Sequence, residues 1–253
     1  MNGISRRDFA IGLTAGAMVM GSGVSSAAAA GAAAGSGSRV IKLIYLAKRN
    51  PALDPDGFTR RWRMHGARGM AGTIGKYTLG YTQAETARPV AIPGASDAYD
   101  GVACFTIYEA GLRDPALSHR TDGIDMLADE RETFDTNVSN FSLWVTEEVM
   151  KPGDLGGVTA FLFFADGSKA RQTAASYRDG PGARRLILNI RDPESPWPSS
   201  LPYEAVVEIA ADDVADFQAI VRAAPDALAG ADVAVVTREA VLWDRMPGSN
   251  PEP

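Results

Sequence analysis

One histidine of this sequence is placed where it could move a proton. Asp54 and Pro55 predict the start of a helix, because aspartate is a favoured N-cap and proline suits the first helical position. At about 100° per residue, Phe58, Trp62 and His65 share one face of this helix and are expected to point toward a sheet. The helix dipole favours a charged imidazole and burial favours a neutral one, so the group could titrate near neutrality and act as a general acid or base. The alternative is a buried histidine bonded to a backbone carbonyl.

Three further residues could complete such a site. Asp100 precedes a predicted strand and could orient His65 or take a proton itself, although it could equally be a turn residue before Gly101. Tyr45 and Tyr81 occupy strand positions from which they could reach a pocket, whereas aromatic strand residues more often only pack. The sequence therefore indicates an acid–base site without defining its substrate.

Composition excludes several other classes of site. The 253 residues contain two histidines and one cysteine, and 45% of them are hydrophobic and 22% charged, which is typical of a globular chain. His65, His119 and Cys104 leave few ways to build a metal centre, and no phosphate-binding or dinucleotide-binding glycine motif is present, so we expect no metal and no organic cofactor. The net charge of −6 argues against a nucleic-acid partner. The acidic run 125–135 is interpreted as a solvated helix face rather than a metal cluster.

The elements that must position these residues occur twice. Hydrophobic periodicity and turn residues predict a first series of strand, helix, two strands, helix and strand, and a fainter second series in the same order. The first series has strands at 40–48, 76–82, 101–108 and 141–149 and helices at 55–65 and 124–134, with Gly66 as a stop signal. The second series has strands at 158–165, 183–190, 203–209 and 233–243 and helices at 168–177 and 212–224.

A βαββαβ unit covers only one face of its sheet with helices, so the other face needs a partner. We therefore predict an α+β fold of two ferredoxin-like βαββαβ repeats, packed sheet to sheet as an α/β barrel within one chain. Residues 39–150 form the first half, 151–157 a linker, 158–245 the second half and 246–253 a frayed tail. The alternative is that each half pairs with another molecule. The cavity enclosed by the two halves is expected to be served by His65.

The first 38 residues are typical of an export signal. Arg6 and Arg7 precede Phe9, a short apolar stretch broken by Gly and Thr, and an alanine-rich end. This pattern predicts a twin-arginine signal at 1–30, cleaved within 27–34 and followed by a flexible leader at 31–38. A membrane-spanning first helix is disfavoured because the apolar run is too short, and no cysteine follows it to carry a lipid anchor. We expect a periplasmic or secreted protein that meets the twin-arginine translocation machinery and has no stable membrane anchor.

Four segments in the first half resemble one known family. They are IKLIYL at 41–46, FxxxWRxH at 58–65, DGVA at 100–103 and DExxxFD at 129–135. Together they are similar to the EthD-domain family of the dimeric α/β-barrel superfamily, over about residues 40–150. The second half lacks a WRxH segment and looks like a degenerate copy. The resemblance implies a pocket between the sheet and its helices, lined by aromatic groups.

The family pattern also implies roles for individual residues. His65 matches the family histidine, Trp62 and Arg63 its flanking pair, and Asp100 the acid before the third strand. The candidate catalytic residues are thus His65 and Asp100, and the candidate substrate-binding residues are Tyr45, Trp62, Arg63 and Tyr81.

Three functions remain open at this point. The first is an exported, cofactor-free enzyme of the lyase or isomerase type, a dehydratase or decarboxylase, or else a cofactor-free oxygenase, acting through His65 on a small hydrophobic or aromatic molecule. The second is a non-catalytic periplasmic protein that binds such a molecule. The third is a haem protein with His65 as axial ligand, because sister families of the superfamily include haem-binding enzymes.

Overall fold

The computed structural model describes residues 38–88, 92–117, 120–121, 124–178, 182–224, 228 and 230–244. The predicted export signal 1–30, the leader up to residue 37, His119 and the tail 246–253 lie outside the described residues. Within the described part of the chain, no helix has the length and apolar character needed to cross a membrane.

The two halves contain the predicted series of strands and helices, with short additions in the first. The first half comprises β1 Val40–Ala47, α1 Pro55–Met70, α2 Thr73–Tyr77, β2 Thr78–Thr86, β3 Gly101–Tyr108, α3 Glu109–Leu112, β4 Arg120–Thr121, β5 Ile124–Asp125, α4 Met126–Thr133 and β6 Ser142–Lys151. The second half comprises β7 Gly157–Phe164, α5 Gly167–Arg178, β8 Arg185–Arg191, β9 Ala205–Ala211, α6 Val214–Ala223 and β10 Val233–Asp244.

Eight strands close into one antiparallel barrel in the order β1-β3-β2-β10-β7-β9-β8-β6. Within this circle each half contributes four adjacent strands in the same arrangement, β6-β1-β3-β2 and β10-β7-β9-β8. The halves meet edge to edge, where β10 pairs with β2 and β8 pairs with β6. The fold predicted from the sequence, two ferredoxin-like repeats that form an intrachain α/β barrel, is therefore confirmed. Backbone pairing at two seams closes it and leaves none of these eight strands with a free edge.

Alternation along β1 shows how the chain divides its core. Ile44 and Leu46 point into the barrel and pack in one cluster with Phe161 and Phe163 of the second half. Tyr45, which lies between Ile44 and Leu46, points to the opposite face and packs beneath the helices of the first half. The helices thus cover the outside of the barrel, and the sheets enclose an interior of their own.

The barrel interior also contains buried charges. Lys42 lies 2.7 Å from a Glu147 oxygen and bonds Glu208 of the second half, while Arg185 pairs with Glu239 at 2.9 Å. Burial by itself lowers the pKa of Lys42, but Glu147 and Glu208 outweigh it, and that pKa lies well above its ordinary value. Lys42 is therefore charged, and it joins the two halves across the interior.

The prediction that His65 faces the cavity enclosed by the two halves was wrong. Helix α1 packs on the outer face of the sheet, so its apolar side meets Tyr45 and Phe134 rather than the barrel interior. The imidazole therefore lies in the layer between helix and sheet and does not face a cavity between the two sheets. The physical reason is the two-residue period of β1, which sends Tyr45 and Ile44 to opposite faces.

Helix α1 begins as predicted but ends later. The Asp54 side chain accepts a hydrogen bond from the Gly57 amide at 2.6 Å, which caps the helix. The helix continues past Gly66 to Met70. A Cβ on Gly66 would lie 2.7 Å from the Gln83 amide nitrogen and 2.8 Å from a Tyr81 ring carbon. Glycine at this position therefore permits a close approach of the helix to the sheet and is not a stop signal.

Several other boundaries differ from the sequence prediction by a few residues, and three of them change the connections. Residues 76–77 belong to α2 rather than to a strand, and 124–125 pair with 120–121 before α4 begins. The connection between halves is shorter than predicted, because β6 runs to Lys151 and β7 starts at Gly157. Gly156 and Gly157 adopt φ angles of 94° and 76°, which suit glycine at this turn.

Candidate functional site

His65 contacts a carboxylate on helix α4 of its own half. Its Nδ1 lies 2.7 Å from Oδ2 of Asp129 on α4, and the imidazole is only 8% exposed. The ring stands edge-on to Phe134, with 5.4 Å between the ring centroids. A carboxylate at Nδ1 fixes the tautomer in which Nδ1 carries the proton and Nε2 offers a lone pair.

Asp129 receives hydrogen bonds from three side chains of α1. Arg61 donates to Oδ1 at 2.6 Å and Arg68 donates to the same oxygen, while His65 contacts the other. Residues 61, 65 and 68 lie on one side of a helix, which explains how a single carboxylate can meet all three. Although burial by itself raises the pKa of Asp129, the hydrogen bonds from His65 and Arg61 outweigh it and hold that pKa well below its ordinary value. Asp129 is therefore an anion next to the imidazole.

This pairing corrects two expectations. The acidic run 125–135 is not a uniformly solvated helix face, because Asp129 is buried together with Thr133, one helical turn later. Asp100 does not orient His65, since Asp129 occupies that position. The sequence signal that contained Asp129 was the DExxxFD segment, whose Phe134, just past the end of α4, packs against His65.

Three of the predicted substrate-binding residues meet one another. Trp62 Nε1 donates to the Tyr45 hydroxyl at 3.0 Å, and the Tyr45 and Tyr81 hydroxyls are 3.0 Å apart. The Gln83 side chain donates to the Tyr81 hydroxyl at 2.7 Å. Burial raises the pKa of both tyrosines, so both hydroxyls keep their protons at neutral pH. The structure places these aromatic rings in the buried layer beneath α1, and substrate contact by them stays a prediction.

Arg63 lies at the outer end of this hydrogen-bonded chain. Its guanidinium donates to the Gln83 side-chain oxygen at 2.5 Å and bonds Glu85. It also lies 5.8 Å from the centre of the Trp62 ring, within the range of a cation–π contact. Arg63 thereby orients the amide that bonds Tyr81, and its contact with substrate also stays a prediction.

Asp100 belongs to a different part of the first half. It accepts hydrogen bonds from the Arg49 amide at 2.9 Å, from the Arg49 guanidinium and from Arg88 at 3.1 Å. These three residues line a cleft of about 930 Å³ whose lining does not include His65, Trp62, Tyr45 or Tyr81. The sequence-predicted catalytic pair is therefore separated, with the buried Trp62 ring packed against Gly101 between the two places.

Metal ligands do not gather in the described part of the chain. No group of three or more histidine, cysteine, aspartate or glutamate side chains there is arranged to hold a metal ion. Cys104 is buried, and burial raises the pKa of its thiol well above the ordinary value. The thiol is therefore protonated and packs in the barrel interior.

The strand order and the two helix-covered halves define the class of this protein, an α/β barrel with ferredoxin-like repeats. No family model matches the chain, and no curated protein is similar enough to match it. The solved structures that resemble it include a protein proposed to be a monooxygenase from Fusobacterium nucleatum subsp. nucleatum, which is 8% identical over 82% of this chain and 97% of its own, with a TM-score of 0.43.

Two others are a protein proposed to be a monooxygenase from Lactobacillus acidophilus and a variant of chlorite dismutase from Candidatus Nitrospira defluvii. The first is 11% identical over 81% of this chain and 94% of its own, with a TM-score of 0.41. The second is 10% identical over 80% of this chain and 92% of its own, with a TM-score of 0.42. Similarities of this size carry no conclusion about activity.

Proposed function

We propose that this chain is an EthD-domain enzyme in which His65 moves a proton on a small hydrophobic or aromatic substrate and Asp129 orients the imidazole. The observation that carries the proposal is the 2.7 Å contact between His65 Nδ1 and Asp129 Oδ2. The family assignment is supported by the meeting of two family-like segments, since Phe134 packs against both Trp62 and His65.

The proposed chemistry follows from the tautomer that Asp129 favours. With Nδ1–H directed at the carboxylate, Nε2 accepts a proton from a C–H or O–H group of the substrate. The adjacent anion stabilises the imidazolium that forms, and the same proton returns to a leaving hydroxyl or to carbon in the second step. Elimination, decarboxylation and isomerisation all fit this sequence, and no cofactor supplies a step in it.

A general-base probe tests the proposal before the substrate is identified. 5-Nitrobenzisoxazole is a small aromatic molecule that loses its ring C–H proton to a base as its N–O bond breaks, giving a coloured cyanophenolate. We expect the protein to accelerate this reaction and His65→Asn to lower kcat/KM by about 100-fold or more, the usual contribution of a positioned general base.

Arg61→Gln is the matched control for this test. It removes a cationic partner of Asp129 but leaves the imidazole in place, so activity should stay within a few-fold of the parent protein. If the contact between α1 and α4 has only a structural role, both variants lose thermal stability alike and neither changes the rate. That outcome, or a parent rate no greater than that of free imidazole, would contradict the proposal.

A non-catalytic binding protein is the second candidate, and one observation favours it. The cleft of about 930 Å³ is large enough for a small molecule, yet His65 is not part of its lining. A protein that binds ligand there without turnover, and whose binding is unchanged in His65→Asn, would fit this alternative.

The haem alternative fits the described residues less well. An imidazole bonded to carboxylate through Nδ1 is typical of a metal ligand. The His65 ring, however, is packed against Phe134 and is absent from the lining of the large cleft, so the described residues do not show space for a porphyrin beside it. We derive no step through haem; a Soret band in the purified protein would contradict this position.

We also propose that residues 1–30 direct export through the twin-arginine pathway to the periplasm or beyond. The support is the sequence around Arg6 and Arg7, which lies outside the described residues. A reporter fused to residues 1–38 should be exported and cleaved, and replacing both arginines by lysine should abolish export. Export that survives the double replacement would point to another route.

A further inference from the structure

The cleft around Asp100 has the features of a site for an organic anion. It lies where β1 ends and β3 begins, and its lining combines charged groups with small apolar side chains. Asp100 is at its floor, where the side chain is only 10% exposed, whereas the side chains of Arg49 and Arg88 are 32% and 37% exposed. The carboxylate is thus buried beneath two guanidinium groups that face the cleft.

Among the described residues, the hydrogen bonds to the Asp100 carboxylate come from these two arginines. One oxygen accepts from the Arg49 amide at 2.9 Å, and the other accepts from both guanidinium groups. Two adjacent cations repel each other, so a carboxylate between them is what allows both to remain at one place. The group of three carries a net charge of +1, and the anion within it is already satisfied.

Both arginines keep N–H donors that the described residues do not use. The Arg49 Nε donates to the Leu53 carbonyl at 3.1 Å and its Nη1 to Asp100, which leaves Nη2. Every hydrogen bond of the Arg88 side chain leaves from Nη2, toward the carbonyls of Asp97 and Tyr99 and toward Asp100, so Nε and Nη1 remain. In a guanidinium the forks that match a carboxylate are Nε with Nη2 and Nη1 with Nη2, so with Nη2 engaged the Nε–H and Nη1–H groups of Arg88 each offer a separate charge-assisted hydrogen bond to an anion.

The rest of the lining indicates the size and charge of the ligand. Pro51, Ala87, Ala95 and Val236 provide an apolar wall, and a volume of about 930 Å³ lies at the upper end of small-molecule sites. Among the described residues of the lining, Lys48 and the two arginines are balanced by Asp100 and by two further aspartates, Asp97 and Asp135. A ligand with several negative charges would meet those two aspartates without compensation, whereas a single carboxylate on an apolar body would not.

We propose that this cleft binds a small organic monocarboxylate through Arg49 and Arg88, and that Asp100 is a positioning residue that holds the two guanidinium groups together. The proposal does not depend on the chemistry of His65. It gives the ligand-binding alternative a ligand class and assigns to Asp100 a role other than proton transfer.

Benzoate is a suitable probe, with benzamide as its neutral counterpart and inorganic phosphate and ATP as multiply charged comparisons. Calorimetric titration of the full mature chain should show saturable benzoate binding, with benzamide, phosphate and ATP each weaker by about tenfold or more, the loss expected when a charge-assisted pair is not formed. Equal affinity for benzamide, tighter binding of phosphate or ATP, or no benzoate binding up to about 10 mM would overturn the proposal.

Four variants test whether benzoate binds in this cleft: Arg88→Gln, Arg88→Lys, Arg171→Gln and His65→Asn. Arg88→Gln should weaken benzoate binding by about tenfold, and the affinity of Arg88→Lys, which keeps the charge but not the planar set of N–H donors, should lie between that of Arg88→Gln and that of the parent protein. Arg171→Gln removes an exposed arginine on α5 of the second half and should change nothing.

His65→Asn should also bind benzoate as the parent does, so failure of the acid–base proposal and failure of this one are distinguishable. Because Arg88 is exposed on a turn, its variants should fold, which circular dichroism and melting temperature would check. Unchanged affinity in Arg88→Gln would overturn the assignment.

Discussion

The helix-facing layers of the two halves differ sharply, although their strands follow the same order. Beneath α5 and α6 the second half packs mostly aliphatic and small side chains, among them Ala170, Ala174 and Val207. Beneath α1 and α4 the first half packs Tyr45, Trp62 and Tyr81, whose polar atoms bond one another. The buried pair of His65 and Asp129 lies at the edge of this first-half layer.

This difference distinguishes side chains that the barrel fold requires from side chains that it does not require. The second half shows that the layer between helices and sheet can be built mostly from apolar side chains of suitable volume. Polar groups in the equivalent layer of the first half must all find partners, because an unpaired buried polar group costs about 1–3 kcal/mol. The buried, hydrogen-bonded side chains of the first half are therefore not required by the fold, and they are where we expect a function.

The largest expected effect concerns the buried ion pair that joins the two halves, and it tests whether the halves unfold together or separately. Lys42→Met removes the first-half cation that bonds Glu208 of the second half. Glu208 would keep its hydrogen bond from Asn189 at 2.9 Å and Arg185 at 3.8 Å but would lose its closest cation, so the free energy of unfolding should fall by about 3 kcal/mol. We expect one cooperative transition in urea, because the two seams join the halves. A biphasic curve, or a Lys42→Met/Glu208→Leu double variant no more stable than the single one, would contradict this interpretation.

The second effect concerns the acid that only the first half possesses. The pKa of Asp129 is lower in the folded than in the unfolded chain, so its contribution is present above about pH 4 and is lost as the pH falls below it. Asp129→Asn should lower stability at pH 7 by about 1–3 kcal/mol and flatten the acid limb of a melting-temperature profile. In the second half, Asp213→Asn replaces one good helix N-cap by another and should change neither quantity. An unaltered acid limb in Asp129→Asn would contradict the assignment.

The third effect concerns how closely a helix approaches the sheet. Gly66→Ala would bring a Cβ within 2.7 Å of Gln83 and should cost about 1–3 kcal/mol by overpacking. Gly69→Ala, on the same helix, meets nothing closer than 3.8 Å and should stabilise by about 0.4–1 kcal/mol. Helix α5 of the second half already has alanines at two of its three buried positions, Ala170 and Ala174. Equal effects of the two substitutions in denaturant titrations would argue against a special packing role for Gly66.

The smallest effect compares one tyrosine hydroxyl from each half. Tyr45→Phe leaves the Trp62 indole nitrogen and the Tyr81 hydroxyl without their shared partner and should cost about 1–2 kcal/mol. Tyr177→Phe removes a single, partly buried bond of 3.3 Å to the Ala224 carbonyl and should cost about 0.5 kcal/mol or less. If the two losses are equal, the hydrogen-bonded chain adds nothing beyond ordinary packing.

Individual residues show how far the sequence could predict this arrangement. Asp54 predicted the start of α1 because a cap needs only its own next few residues, and the period of two along β1 correctly predicted a strand. Gly66 was misinterpreted as a helix end because its reason for being glycine is the position of Tyr81 and Gln83, which lie far along the chain. Asp129 was misinterpreted as solvated because its partners are on another helix.

The sequence alone determined the repeated order of strands and helices, and with it the need for two sheets to shelter each other. These properties follow from local periodicity and from the apolar face that each half cannot cover by itself. Only the tertiary structure decided that Asp129, and not Asp100, meets the imidazole of His65, and that Asp100 holds two arginines in a separate cleft. Contacts between side chains on different elements depend on the angle and depth at which helices cross the sheet, and these are set by the packing of the whole layer.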